Sequence, residues 1–389
     1  MRNVLFVLYY DFSANSAIHV HNFANRLAES GHGVAVAVPK NKETGVNLGE
    51  QSYTAVNYHE VDGEWANLFA NGKPPEMVHA WTPREIVRLF CEKLAGLCQF
   101  ALVVHLEDNE EQILEVNLGL KFEKLAASRS IEVPIDLSHP RNYRRFLASA
   151  SGVTLIMDRL EEFVPDHIPR MILWPGADSE RFYPRPKDVD YLTSLGVPPQ
   201  NTVLCYAGNV HSSNAHEVRS LYVAVAMLNR EGFPTTLVRA GRDHCPFLGT
   251  DDKWARQHSV ELGYVRHVDI PQVMNLADVL VQPGKADPFN DYRLPSKLPE
   301  FFAMGRPVVL PATNVGRFVR HGEHAWVLLK VDALGIIDTV EMLLSDRALT
   351  HRLSDGALRF REEHFSWKAN AKKLEDFYEQ LIPARAAAG

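Results

Sequence analysis

The sequence predicts an α/β protein made of two doubly wound domains. Short apolar runs of the kind found in buried parallel strands alternate with segments that carry apolar residues at helical spacing. The chain has 389 residues, of which 46% are hydrophobic and 23% are charged. This length exceeds that of one ordinary domain and supplies enough apolar residues for two cores.

Composition excludes several classes of protein. A net charge of −7 gives no electrostatic reason to expect nucleic-acid binding. The four cysteines, Cys91, Cys98, Cys205 and Cys245, form no Cys-x-x-Cys pair, which argues against a disulfide framework or a zinc site and favours a reducing, cytosolic setting. Residues 1–10 lack a cleavage pattern and are expected to be a buried strand. No apolar run approaches the ~20 residues that a membrane-spanning helix requires.

The first domain opens with a βαβ unit. Residues 4–9 are a predicted strand, residues 19–30 a predicted helix with an apolar stripe, and residues 34–38 a second strand. The glycines of residues 31–33 end the helix. This order is the usual start of a doubly wound domain.

Polar side chains follow a later strand of this domain. No regular structure is assigned to residues 40–75; strands are predicted at 77–80, 100–105 and 152–157, and a helix at 83–97. Ligands of open α/β sheets bind at the carboxyl ends of strands. His105 and the acidic residues 107–111 are therefore expected where chemistry takes place, although a satisfied histidine and a solvated acidic loop are equally ordinary readings.

A basic and apolar segment lies near the end of the first domain. Arg141, Arg144 and Arg145 precede Phe146 and Leu147. Such a segment suits an anionic membrane surface or a phosphate-bearing acceptor. The alternative is an ordinary solvated loop that leads into a helix.

The second domain repeats the alternation of strands and helices. Strands are predicted at 203–207, 235–240, 260–265 and 278–283, with a short helix at 271–277 and a last helix that extends to residue 381. The hinge between the domains is expected near residues 171–187, where a Pro-Gly turn occurs.

Residues 294–309 are a predicted loop, short helix, turn and strand. Ser296 is the expected N-cap, Phe301 and Phe302 share the buried face, and Gly305 ends the helix. The first turn of such a helix offers free backbone N–H groups to an anion. Lys297 lies in that turn, and Glu300 follows one turn later.

This string resembles the donor-sugar segment of the family-4 glycosyltransferases, whose relatives carry Pro-Ser-Lys-x-x-Glu-x-x-Ala-x-Gly-x-Pro-Val-Val. Residues 171–184, 201–211, 260–265 and 278–283 resemble further strings of that family in the same order. The resemblance implies the GT-B fold: two Rossmann-like doubly wound domains that face each other across a cleft, with a C-terminal helix that crosses back to the first domain. It implies an acceptor domain at 1–178, a nucleotide-sugar donor domain at 179–365, and the crossover helix and tail at 366–389.

The resemblance also implies a site. Lys297 and the backbone at 293–298 would bind the donor phosphates, Glu300 the ribose, and His105 would lie beside the sugar. The expected catalytic residues are His105, Glu107 and Asp108, and the expected donor-binding residues are Gly208, Asn209, Arg242, Tyr264, Val265, Arg293, Leu294, Ser296, Lys297 and Glu300. No metal, no cofactor and no protein nucleophile are expected, and the anomeric configuration should be retained.

The expected function is therefore transfer of a sugar from a nucleotide-sugar to a glycan, lipid-linked or small-molecule acceptor, in glycan biosynthesis. The expected location is the cytoplasm, with peripheral contact at the inner membrane face as an option. No P-loop or Gly-x-Ser-x-Gly elbow is present. Two alternatives stay open. Tyr292 stands where the family usually has a glutamate, and the loop 211–214 lacks the family's lysine, which favours a catalytically silent GT-B binding or scaffold subunit. A sugar-nucleotide epimerase is the other.

Overall fold

The computed structural model describes residues 1–128, 131–249 and 252–382. The chain divides into two compact units. Unit 1 is Met1–Pro175 together with the segment that begins at Trp367, and unit 2 is Gly176–Ser366. The predicted tail at 383–389 lies outside the described residues.

Unit 1 contains a seven-stranded sheet in which every neighbouring pair is parallel. Its strands are β1 (Asn3–Leu8), β2 (Gly33–Val38), β3 (Thr54–Asn57), β4 (Met77–Trp81), β5 (Ala101–Leu106), β6 (Gly152–Leu155) and β7 (Arg170–Ile172). The order is β3-β2-β1-β4-β5-β6-β7. The strand order therefore reverses between β1 and β4, which makes their carboxyl ends the expected ligand crevice of this unit.

Unit 1 contains five helices besides the last one in the part of the chain described, and two of them, predicted at 19–30 and 83–97, are present with shifted ends. The five are α1 (Asn15–Glu29), α2 (Glu85–Ala95), α3 (Glu110–Leu118), α4 (Phe122–Ala127) and α5 (Asn142–Ala148). Helix α1 begins four residues before the predicted start at 19, and Gly31, at φ +89°, follows its end. The segment 40–75, to which no regular structure was assigned, contains β3.

The basic and apolar segment at 141–147 is partly buried, and its two halves differ in exposure. Phe146 and Leu147 on α5 are buried, whereas Arg141, Arg144 and Arg145 are exposed, with Arg144 paired to a glutamate of α3. The apolar half of the segment is therefore unavailable to a membrane. Membrane contact stays a prediction that rests on the arginines, and within the described part of the chain no helix is long and apolar enough to cross a bilayer.

Unit 2 has a six-stranded parallel sheet and a short antiparallel pair. Its strands are β8 (Thr202–Ala207), β9 (Thr235–Ala240), β10 (Ser259–Gly263), β11 (Val279–Val281), β12 (Gly284–Lys285), β13 (Val308–Pro311), β14 (Trp326–Leu328) and β15 (Lys330–Val331). The sheet order is β10-β9-β8-β11-β13-β14, and β12 pairs with β15. The order reverses between β8 and β11, so the ligand crevice of this unit is expected at the ends of those two strands.

The helices of unit 2 are α6 (Val189–Ser194), α7 (Ala215–Arg230), α8 (Lys253–Arg256), α9 (Ile270–Met274), α10 (Leu298–Ala303), α11 (Ala333–Ser345) and α12 (Arg347–His364). Helix α10 begins at Leu298, with Lys297 in the N-cap position and no capping side chain. The prediction that Ser296 caps it is wrong, because Lys297 occupies the N-cap position and no side chain makes a capping hydrogen bond. Gly305, at φ +60°, follows its end as predicted.

The last helix, α13 (Trp367–Leu381), completes the core of unit 1. Trp367, Leu374 and Phe377 are buried with residues of β1 and α1 in one apolar cluster. A Cβ on Gly152 would lie 2.6 Å from Leu381 Cδ1 and 2.8 Å from Phe377 Cζ. Strand β6 therefore needs a glycine where α13 packs closely against it.

Candidate functional site

At the crevice of unit 2, a lysine lies against a glycine. Gly208 follows the end of β8, and a Cβ there would lie 2.9 Å from Lys297 Cε and 3.1 Å from its Nζ. Lys297 Nζ is 3.3 Å from the Tyr206 hydroxyl oxygen and 4.6 Å from the centre of the Tyr206 ring. Two residues predicted from separate strings, Gly208 and Lys297, therefore meet at the reversal of strand order.

The loops that follow β8 and β9 are joined by hydrogen bonds. The Arg242 N–H donates to Asn209 Oδ1 at 2.8 Å, and the Gly208 N–H donates to the Ala240 carbonyl oxygen at 2.8 Å. Gly241, at φ +132°, lies so close that a Cβ on it would be 2.1 Å from the Gly208 carbonyl oxygen. This close approach holds the Gly208-Asn209 backbone at the strand ends.

An aromatic ring and a cation border these loops. The Arg242 guanidinium lies 4.7 Å from the centre of the Tyr264 ring, which is 65% exposed. Val265 beside it is half-buried. A large exposed ring under a cation is suited to stacking on a flat ligand. Four predicted donor-binding residues thus lie on loops that follow neighbouring strands: Asn209, Arg242, Tyr264 and Val265. Their role in donor binding stays a prediction.

Glu300 is held by a histidine that the sequence did not indicate. His267 Nε2 is 2.7 Å from Glu300 Oε1, and the Glu300 side chain is 18% exposed. The hydrogen bond that the His267 imidazole donates to Glu300 raises the pKa of His267 despite the opposing effect of burial. The carboxylate therefore has a fixed orientation and retains an exposed part.

The remaining predicted donor residues lie in the loop before α10. The Arg293 guanidinium lies 3.8 Å from the centre of the Phe289 ring and donates to Asn290 Oδ1 at 2.8 Å. Leu294 is half-buried and Ser296 is exposed. Arg293 is therefore oriented by its own loop, and Ser296 is not a cap.

Sequence reasoning missed Glu217, on the first turn of α7. Its Oε1 accepts a hydrogen bond from Asn290 Nδ2 at 2.9 Å, and it lies 3.1 Å from the position of a Cβ on Gly284. Burial raises the pKa of Glu217, an effect that the charges of Arg293 and Lys297 oppose. No local pattern marks this residue, because its partners lie more than sixty positions away in the chain.

In unit 1, Glu107 is the centre of a hydrogen-bonded group. Its Oε1 accepts from Trp81 Nε1 at 2.7 Å and lies 3.3 Å from His19 Nδ1, while its Oε2 accepts from the Ser16 hydroxyl. Burial opposes ionisation, but the hydrogen bond and charge of His19, with Ser16, lower the pKa of Glu107 to about 2. Glu107 is therefore a carboxylate at neutral pH.

The structure places His105 away from any surface. Its side chain is 0% exposed, Nδ1 is 2.8 Å from the Thr154 hydroxyl, and its ring centre is 4.0 Å from that of Trp81. Burial lowers the pKa of His105 to about 3, so the ring is neutral near pH 7. Strand β5 continues to Leu106, so His105 is inside the sheet and not at its end. Direct contact of His105 with a substrate is not available in this structure, whereas Asp108, beyond the strand end, is half-buried.

Metal ligands do not assemble in the part of the chain that the structure describes. Residues 1–128, 131–249 and 252–382 contain no group of three or more His, Cys, Asp or Glu side chains arranged to hold an ion. The cations near the unit 2 crevice are instead side chains of lysine and arginine.

A known family model matches the part of the chain that contains the unit 2 crevice. The family model described as "Glycosyl transferases group 1" matches residues 201–346, which contain the Gly208, Arg242, Tyr264, Lys297 and Glu300 positions. The predicted resemblance is thereby confirmed for group 1 glycosyltransferases. No curated protein matches the chain in sequence.

Solved structures with the same fold align over nearly the whole chain. HepE from Anabaena in complex with UDP-glucose has a TM-score of 0.71 at 13% identity, covering 98% of this chain and 100% of that chain. A glycosyltransferase from Rickettsia africae has a TM-score of 0.72 at 11% identity, covering 98% and 99%. Sucrose-phosphate synthase from Thermosynechococcus elongatus has a TM-score of 0.69 at 15% identity, covering 98% and 99%. At these identities the likeness shows the fold, and the predicted fold of two Rossmann-like parallel-sheet domains is confirmed.

Proposed function

We propose that this protein transfers a sugar, a hexose in our hypothesis, from a nucleotide-sugar donor to an acceptor. The observation that carries the proposal is the contact between Lys297 and Gly208 at the reversal of strand order in unit 2. A glycine that leaves room for an ammonium group at this crevice suits a phosphate-bearing ligand. The match of this unit to group 1 glycosyltransferases, and HepE's complex with UDP-glucose, support a nucleotide diphosphate sugar as that ligand.

Each residue has a role that follows from its chemistry. Lys297 neutralises the diphosphate, whose negative charge grows as the sugar bond breaks. Glu300 accepts hydrogen bonds from the two ribose hydroxyls, in an orientation fixed by His267. Tyr264 and Arg242 lie at the side where a base can stack.

We propose further that the reaction retains the anomeric configuration and uses no metal. Lys297, Arg242 and Arg293 supply the positive charge that the departing diphosphate requires. The departing phosphate oxygen then accepts the proton of the acceptor hydroxyl on the same face of the sugar, so no protein nucleophile is needed. A cytosolic setting and a glycan, lipid-linked or small-molecule acceptor remain predictions.

The test is a thermal-shift series with UDP, GDP, ADP, CMP and dTDP on the native protein, Glu300→Ala and His267→Ala. A nucleotide at about 100 times its Kd adds about 2.7 kcal/mol, which raises Tm by roughly 5–10 °C for a unit of this size. We expect one nucleotide to raise the Tm of the native protein most, that of His267→Ala less, and that of Glu300→Ala not at all, because His267→Ala loses only the fixed orientation of the carboxylate. His267→Ala is the matched control because it breaks the same ion pair but keeps the carboxylate.

The proposal is refuted if no nucleotide shifts the native Tm. If the nucleotide-induced rise in Tm were reduced equally in the two variants, the His267–Glu300 pair would serve only the fold, and Glu300 would not bind ribose.

One observation favours a silent binding subunit as the second candidate. Tyr292 occupies the expected acidic position, and the neighbouring Asp291 accepts a hydrogen bond from Thr313 and lies 3.8 Å from Arg317 Nη1. Asp291 is therefore committed within the fold and does not replace the missing glutamate. Nucleotide binding without release of UDP from UDP-glucose, with or without acceptors, would support this candidate.

A further inference from the structure

The crevice of unit 1 contains a second cluster, distinct from Glu107 and its partners. Tyr9 follows the end of β1 and Thr82 follows the end of β4, the two strands between which the sheet order reverses. The Arg84 guanidinium lies 3.9 Å from the centre of the Tyr9 ring. Its Nε is 3.6 Å from Oε2 of Glu110, on the first turn of α3.

Three buried polar atoms of this cluster lack hydrogen bonds. Thr82 Oγ1, Arg84 Nε and Glu110 Oε1 have no hydrogen-bond partner among the described residues, and Glu110 is only 4% exposed. Glu110 Oε2, by contrast, accepts from the Ser138 hydroxyl at 2.8 Å. Native proteins seldom leave buried polar groups unpaired, so a group of this kind at a ligand crevice indicates a missing partner.

The backbone at the same place is strained. Thr82 has φ +80° and is 1% exposed. A β-branched residue at positive φ is a genuine outlier, and such outliers cluster at binding sites because the surrounding fold must hold them. The strained Thr82 lies at the carboxyl end of β4, two residues before Arg84 in the chain.

The unpaired atoms define the chemistry of the partner. Arg84 Nε only donates a hydrogen bond, and the Glu110 carboxylate, when ionised, only accepts one. A hydroxyl group does both, whereas a phosphate could pair only with the arginine and an ammonium only with the glutamate. Glu107 and Asp108 add negative charge nearby, which disfavours an anion.

We propose that this cluster binds adjacent hydroxyls of an uncharged sugar or polyol. One hydroxyl accepts from Arg84 Nε and donates to Glu110 Oε1, and a neighbouring hydroxyl pairs with Thr82. Because it rests on the proposed function, the inference names the acceptor class: a neutral carbohydrate end, not a phosphorylated one.

The test is saturation-transfer NMR with methyl glycosides of glucose, galactose and mannose, myo-inositol, and glucose 1-phosphate, with UDP present. We expect at least one neutral compound to bind and glucose 1-phosphate to bind more weakly. Arg84→Lys removes the Nε donor, and Glu110→Gln keeps the shape but removes the charge. Each should weaken binding of the neutral ligand about 10- to 100-fold, since each removes a hydrogen bond to a charged group.

Arg88→Lys is the matched control, because Arg88 lies in α2, the helix whose N-cap residue is Arg84, but pairs with Glu85 and Glu92. It should bind the neutral ligand as the native protein does. A thermal unfolding curve that matches that of the native protein verifies that each variant is folded. The inference is overturned if no neutral sugar binds, if the two site variants bind the neutral ligand as well as the native protein does, or if glucose 1-phosphate binds more tightly than the neutral compounds. The UDP signal in the same samples then shows separately whether the proposed function survives.

Discussion

Replacing Gly208 by alanine should leave the protein stable and yet impair nucleotide binding. The new Cβ would lie 2.9 Å from Lys297 Cε and 3.1 Å from Nζ, both at the flexible end of that side chain. Gly208 has no positive φ that alanine would disfavour, unlike Gly241 at +132°. The lysine can therefore turn away, whereas the hydroxyl of the buried Tyr206, 3.2 Å from the new Cβ, must shift by a few tenths of an ångström. This small cost offsets the roughly 0.4–1 kcal/mol by which a Gly→Ala substitution stabilises through the unfolded state.

The substitution should instead weaken nucleotide binding. Displacing the ammonium group removes a hydrogen bond to a charged group, worth about 1.5–3 kcal/mol. The Kd for UDP should therefore rise about 10- to 150-fold, with the free energy of unfolding within about 1 kcal/mol of the native value. Titration calorimetry and urea unfolding measure the two quantities on the same preparation.

A double-mutant cycle isolates the cause. Lys297→Met alone should weaken UDP by a similar factor, and the double variant should lose little more than either single one, because both act on one ammonium group. Additive losses would refute the reasoning, as would an unchanged Kd for Gly208→Ala. Gly241→Ala is the contrasting variant: its Cβ would meet the Gly208 carbonyl oxygen at 2.1 Å, so it should lose stability.

Two further predictions concern stability. The folded pKa of Glu107, about 2, is below the ordinary value of 4.5, so its contribution is present above pH 4.5 and lost as pH falls toward 2. Between pH 4.5 and 2 the unfolding free energy of the native protein should therefore fall by about 3 kcal/mol more than that of Glu107→Gln. Urea unfolding at several pH values measures both, and the same pH dependence in the two proteins would contradict the prediction. Gly356→Ala, inside α12, would gain up to about 1 kcal/mol from helix propensity. Its Cβ, however, would lie 1.7 Å from the Glu323 carbonyl oxygen. The clash should prevail and lower Tm, whereas Asp355→Ala on the exposed side of the same helix should not.

The sequence was informative where the determinants are local. Lys297 and Glu300 lie on one short string, and their positions at the start of α10 follow from the proline and glycine that bound it. Gly208 was found because a strand run ends directly before it. The meeting of Gly208 with Lys297 could be expected only from the family order, since it joins residues from separate strands.

The failures have physical reasons. The predicted strand ended at His105, whereas the strand continues for one more residue, and a side chain inside a strand belongs to one face of the sheet. The helix that packs on a face determines whether a side chain there is buried. Here α13 is such a helix, and because it comes from the far end of the chain, local sequence does not reveal it. Glu217 and Arg84 were missed because their partners are distant in sequence, whereas Glu110 lies in the acidic segment that the sequence did indicate. Strand β3 was missed because its four residues include two polar ones.

Because α13 packs into unit 1, the order in which the chain is synthesised determines which unit can complete its fold first. The apolar surface that Trp367, Leu374 and Phe377 cover is uncovered when residue 175 leaves the ribosome. The intervening roughly 200 residues take on the order of 10–40 s to translate at about 5–20 residues per second. Unit 2 is continuous in sequence and can finish first, so the unit that begins earlier is completed later. During that delay unit 1 exposes apolar surface to which chaperones bind. A ribosome stalled before Trp367 would leave unit 1 incomplete, although unit 2 could already be folded.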